Sequence, residues 1–152
     1  MASATAQSVP SYVSVDNLLG GKRVLPVTPL SPIDWVAVIR RGLPAFAIDS
    51  LTRFTRMTQA ELSLALGIPE RTLARRKREG KLNSEESSKL VRLARVIERA
   101  EEVFENFDLA IDWLKSGNTA MAGFTPMSLL DTDIGAESVM DTLGRIEHGV
   151  FA

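Results

Sequence analysis

From Ser31 onward the apolar residues recur three and four positions apart, in short blocks divided by glycine, proline and capping residues. Ser31-Pro32 reads as an N-cap followed by proline in a first helical turn, with Ile33, Val36, Ile39 and Leu43 inward and Gly42 closing the helix. A second helix is expected from about Pro44 to Arg56, burying Phe46, Leu51 and Phe54. Thr58-Gln59-Ala60-Glu61 has the form of a capping box, and the helix it opens stops at Gly67. Pro69 begins another, which ends at Gly80. The longest helix is predicted from Ser84 to about Phe107, with Leu90, Leu93, Ala94, Ile97, Ala100 and Phe104 on its apolar stripe. Shorter helices follow at about 108–116, 126–131 and 135–146.

Residues 1–30 lack this period. They are rich in Pro, Gly, Ser, Thr and Val and read as an extended or disordered arm, in which Tyr12-Val13-Ser14-Val15 has the alternation of a short strand. No other segment has a strand pattern, so the fold class is all-α. The expected organisation is an arm at 1–30, a helical region at 31–107 and a small helical domain at 108–152.

Within the helical region, residues 59–78 have the layout of a helix-turn-helix. Leu62 and Leu66 face inward from the first helix, and small Ser63 allows the second to pass close. Gly67 supplies a left-handed turn residue, Ile68 fills the angle, and Leu73 faces inward from the second helix. That leaves Pro69, Glu70, Arg71, Ala74, Arg75 and Arg78 on the face such a motif lays into the major groove. Arg71, Arg75 and Arg78 form one stripe suited to guanine edges or phosphates. Thr58, Gln59 and Thr72 stand at or near helix starts, where side chains reach phosphate oxygens. Arg76, Lys77 and Lys81 would add affinity without sequence preference. Arg76 occupies a position that is more often apolar, where its stem can snorkel along the core edge.

Charge strengthens this division. The net formal charge is -1, but residues 51–100 hold twelve cations against six acids, and residues 101–152 hold two cations against ten acids. A basic middle and an acidic end point to two surfaces with different partners, or to halves that attract each other. The absence of cysteine removes disulfides, thiolate catalysis and cysteine zinc sites, and one histidine, His148, precludes a multi-histidine metal centre. With no metal set, phosphate loop or nucleophile–base pair, neither a cofactor nor enzyme activity is expected. Asp131 and Asp133 read as helix-start acids, and Glu98, Glu101, Glu102 and Glu105 as a solvated face paired with Arg95 and Arg99. Trp35 and Trp113 occupy apolar helical positions and read as core. The longest unbroken apolar run, Trp35 to Ile39, is far short of the roughly 20 residues of a membrane span, so a cytoplasmic protein is expected.

Two further stretches carry a resemblance. The run from Leu73 through Gly80 and Leu82 to Ser87, with the long Leu/Arg helix behind it, resembles the Xre/MbcA/ParS-type antitoxins. So do Asn118 to Thr132 and the ending from Gly144 to Ala152; together the likeness spans about residues 35–152. It implies a partner with a RES domain, a toxin that depletes NAD, and a helix-turn-helix that represses the protein's own operon by binding operator DNA. Carried onto this chain, toxin binding falls on Asn118, Gly123, Thr125 and Pro126, and on Arg145, Glu147, His148, Gly149, Val150, Phe151 and Ala152. Half-site reading by such repressors makes a homodimer the expected form, through the 90–104 helix or the N-terminal arm. The alternative reading is a stand-alone helix-turn-helix transcription regulator without a toxin.

Overall fold

The computed structural model describes residues 13–149. Eight α-helices form it: α1 (Val15–Leu18), α2 (Pro32–Arg41), α3 (Phe46–Thr55), α4 (Gln59–Leu66), α5 (Glu70–Glu79), α6 (Ser84–Phe104), α7 (Phe107–Lys115) and α8 (Asp133–Glu147). Short 3-10 turns lie at Gly21–Arg23, Thr119–Met121 and Pro126–Leu129, and the described residues contain no strand beyond one isolated bridge.

The long helix α6 is the spine. Leu90, Val91, Leu93, Ala94, Val96, Ile97 and Ala100 are all buried, so apolar side chains surround most of its circumference. Helices α1, α2, α4, α7 and α8 pack directly against it. Its apolar positions are therefore consumed inside the chain, which removes the 90–104 stretch as an interface between copies.

Polar side chains set the helix boundaries. Ser31, Thr58, Asn83, Asn106 and Thr132 each accept an amide hydrogen bond from the first turn that follows. The capping box at Thr58 and Glu61 is complete, and Asn83 with Glu86 forms a second one. Between α2 and α3 the chain pairs with the α5–α6 loop: Ala45 N–H donates to Gly80 O at 2.9 Å and Leu82 N–H to Leu43 O at 2.9 Å. These bonds fix the end of α5 against the first half of the chain.

Four expectations are corrected. The segment 13–25 is not an extended arm or strand. Ser14 caps α1, Val15 and Leu18 sink into the core with Leu19, and Val24 and Leu25 follow. Val15, Leu18 and Leu19 do have helical spacing, but a run this short between glycines and prolines gains stability only from burial against distant helices. Tyr12 lies outside the described residues. The anchoring groups are Glu101, which accepts Val13 N–H at 2.6 Å, and Glu98, which accepts Val15 N–H at 3.0 Å. These two carboxylates are therefore not part of a solvated ion-pair face; Arg99 pairs instead with Glu102 and Glu147.

The apolar face of α2 is also rotated from the expected one. Val38 is buried and Trp35 and Ile39 pack on the core, whereas Ile33 is 75% exposed and Val36 is exposed too. Five consecutive apolar residues cover the helix on all sides, so periodicity alone does not select the inner face. On α3, Leu51 is buried but Phe54 is 42% exposed, because Ala47 and Ile48 supply the inner stripe instead.

Candidate functional site

Helices α4 and α5 meet as a helix-turn-helix. Leu62, Leu66, Ile68 and Leu73 are buried between them. Gly67 adopts φ 66°, the left-handed conformation that closes α4 without a Cβ penalty. The Ser63 hydroxyl donates to Ile68 O at 2.6 Å, locking the turn from inside. The turn rests on the C-terminal part of the chain, since a Cβ at Gly67 would lie 3.2 Å from Asp131 Cβ. Lys115 of α7 also pairs with Glu61 of α4 at 3.5 Å. The Thr58 backbone hydrogen bond holds the Glu61 carboxyl below its ordinary value, with Lys115 adding to it.

The outward face carries what the pattern assigned to it. Pro69, Glu70, Arg71, Ala74, Arg75 and Arg78 are exposed, as is Thr58; Gln59 and Thr72 are half-buried. Arg71 and Arg78 have no ion-pair partner among the described residues, and Arg75 has only Glu79, 3.8 Å away on the exposed surface. A pair of that kind contributes little and releases its arginine easily. Pro69 leaves the first amides of α5 without a side-chain cap, so the positive end of the helix faces outward.

Arg76 and Lys77 do not join this face. Arg76 Nε donates to buried Glu86 at 2.8 Å and Nη1 to Glu79 at 2.9 Å, and Lys77 pairs with Asp49 of α3 at 2.9 Å. Their work is to fasten α5 to α6 and α3. Burial opposes ionisation of Glu86, yet the hydrogen bonds from Arg76 and the Asn83 amide outweigh it and hold the carboxyl below its ordinary value.

The C-terminal residues assigned from the resemblance fall in two groups. Asn118 Oδ1 accepts Ala120 N–H at 2.9 Å, and its own carbonyl accepts Gly123 N–H at 2.8 Å. Thr125 caps the Pro126–Leu129 turn, in which Pro126 is buried. These four residues build the loop that α8 follows. Arg145, His148 and Gly149 are exposed at the end of α8; the His148 ring Nδ1–H donates to Gly144 O at 2.7 Å. Glu147 is held by Arg99 through two hydrogen bonds of 2.6 and 3.1 Å, which keep its carboxyl below the ordinary value. Val150, Phe151 and Ala152 lie outside the described residues.

Sequence reasoning missed the most exposed apolar side chains of this part. Phe124 is 58% exposed beside the Asn118 loop, and Leu109 and Ile134 are also outward. Ala122 at φ 57° and Gly123 at φ 86° turn the backbone so that Phe124 leaves the core. An aromatic between a glycine and a Thr-Pro pair was the only signal available.

Comparison with known proteins fits both halves of this geometry. Residues 34–95 match the family model of the antitoxin Xre-like helix-turn-helix domain, and residues 99–149 that of the antitoxin Xre/MbcA/ParS C-terminal toxin-binding domain. The two matches are separated by only residues 96–98, within α6. An "Antitoxin Xre" from Yersinia enterocolitica is 37% identical over 116 residues, covering 75% of this chain and 78% of that protein. An "Antitoxin Xre" from Photorhabdus laumondii is 34% identical over 118 residues, covering 76% and 80%. A "Prs ADP-ribosylating antitoxin" from a Sphingobium species is 27% identical over 132 residues, covering 80% and 83%. The chain belongs to the Xre/MbcA/ParS antitoxin family, with a helix-turn-helix domain followed by a C-terminal toxin-binding domain.

Proposed function

We propose that this antitoxin neutralises an NAD-depleting RES-domain toxin by binding at its active site, and represses its own operon through α4 and α5. The observation that carries the reading is the contrast of charge between two parts of one chain. An exposed arginine stripe lies on the recognition helix, while residues 101–152 hold ten acids against two cations. An acidic surface complements a cleft built to hold the phosphates of a dinucleotide. Arg145, His148 and Gly149 at the exposed end of α8 are the residues that enter this cleft, and exposed Phe124 of the Asn118 loop adds an apolar anchor.

The protein acts in the cytoplasm as a homodimer. The surface for the second copy is the apolar patch of Leu30, 88% exposed, with Ile33 and Val36 of α2. Light scattering of wild type and Ile33→Asp tests this: a dimer becoming monomer is expected.

The function is tested with the purified product of the adjacent gene. Its consumption of NAD is expected to fall to baseline at a stoichiometric amount of this chain. A toxin that leaves NAD intact, or one that stays active when saturated with the chain, contradicts the proposal. The relative named for ADP-ribosylation of Prs supports a second reading, in which the toxin transfers ADP-ribose from NAD to a protein. Labelled NAD separates the two: the label ends on protein in the second case and in free ADP-ribose in the first.

A further inference from the structure

Beyond the recognition helix, the first half of the chain carries a second concentration of cations that the helix-turn-helix does not use. A cleft of about 670 Å³ opens between the Gly21–Arg23 turn and α3, with Asn17, Arg23, Phe46, Arg53 and Phe54 among its walls. No acidic side chain among the described residues lines it. The Arg23 guanidinium sits 3.9 Å from the centre of the Phe46 ring and that of Arg53 sits 5.5 Å from it. Neither has an ion-pair partner among the described residues. Stacking on one ring restricts both arginines while leaving their N–H edges open to a ligand.

Arg23 also borders a second, adjoining cleft of about 480 Å³, which holds Arg41, Gly80 and Lys81 and again no acid. Gly80 and Lys81 follow directly on α5. A cationic track therefore leads from the end of the recognition helix, past Lys81 and Arg41, to Arg23 and Arg53. Asp49, the acid of α3 nearest in sequence to Arg53, is occupied by Lys77 of α5. That ion pair also fixes α3 to the recognition helix.

We infer that this track is a second phosphate-binding site, which takes the DNA backbone next to the stretch read by α5, with Arg23 and Arg53 as its phosphate ligands. The inference rests on the DNA-binding reading above. It follows from the unpaired, ring-stacked guanidiniums, the acid-free lining and the continuity with the recognition helix. A positively charged groove of this kind adds affinity without base preference and widens the footprint.

The test measures fluorescence anisotropy of the full chain on the promoter duplex of its own gene, across a series of salt concentrations. Arg23→Gln with Arg53→Gln is expected to weaken binding at least tenfold. The slope of log affinity against log salt should become shallower by about 1.8, since each lost phosphate contact removes about 0.9. Arg23→Lys with Arg53→Lys should restore most of the slope, and trimming the duplex to the protected core should erase the difference between variant and wild type. Both arginines are exposed, so the substitutions leave the fold intact. An unchanged slope on the long duplex, with Arg75→Ala still weakening it, overturns this site and leaves the recognition helix standing. Absence of promoter binding by the wild type overturns both. Saturable binding of ATP or inorganic phosphate, abolished by the double Gln variant without any change on DNA, also overturns it and assigns the cleft to a small anion.

Discussion

Two glycines of α8 illustrate how single residues are set by their surroundings. A Cβ on Gly135 would lie 1.8 Å from the Leu129 carbonyl oxygen, so the first turn of α8 sits directly on the preceding turn. Gly144, in the same helix, has no neighbour among the described residues within 4 Å of where its Cβ would be. Gly135→Ala should therefore cost about 3 kcal/mol by overpacking. Gly144→Ala should instead stabilise by about 0.5–1 kcal/mol through helix propensity. Urea titrations of the two variants check the opposite signs. Arg75 belongs to the same scale: replacing it with alanine should weaken promoter binding by about 1–3 kcal/mol and relax preference at one base position, measured by anisotropy on single-substituted duplexes. Caps, the turn glycine and the outward position of the recognition-helix arginines were legible because each is decided by one or two neighbours in sequence. Arg76 was not, since its partner Glu86 belongs to another helix and a buried carboxylate has no sequence signature.

At the scale of the element, α6 shows both what periodicity reveals and what it hides. Its length and apolar stripe follow from 3,4-spacing, and Asn83 fixes its start. The glutamates on it are less transparent, because an acid that pairs with solvent and one that anchors a distant backbone amide look alike in sequence. Glu98 and Glu101 hold the N-terminal segment, which is why helix α1 was unreadable from its own residues. Burial raises the Glu98 carboxyl above its ordinary value, against the lowering effect of the Val15 amide. The ionised form is thus the disfavoured one in the folded chain, and its cost is felt above the folded value and fades as pH falls through it. Glu98→Gln keeps an acceptor for Val15, so it should raise stability at pH 7 and match wild type once Glu98 is protonated. Glu86 has the opposite sign. Its carboxyl is held low, so the stability it supplies is present above the unfolded value, about 4.3, and is lost as pH falls below that. Thermal melts of wild type, Glu98→Gln and Glu86→Gln between pH 3 and pH 7 separate the two effects.

For the whole molecule, the net charge of -1 conceals a basic half and an acidic end held on one spine. Both family matches run into α6, and the helix-turn-helix turn touches Asp131, so the DNA-reading and toxin-binding parts share packing. The all-α fold and the helix-turn-helix could be read in advance because they depend on local spacing. The inner face of α2, the exposure of Phe124 and the acid-free track at Arg23 depend on which distant segments meet, and no local pattern encodes that.

The central claim is that one chain carries two separable activities, and growth rescue together with promoter binding tests it most directly. Each variant is co-expressed with the adjacent toxin gene, and the purified chain is titrated onto promoter DNA. Arg71, Arg75 and Arg78 all changed to alanine should rescue growth like wild type while binding the promoter at least tenfold more weakly. Arg145→Glu combined with removal of residues 150–152 should bind the promoter normally and fail to rescue. Loss of rescue in the recognition-helix variant, or full rescue by the C-terminal one, contradicts the account.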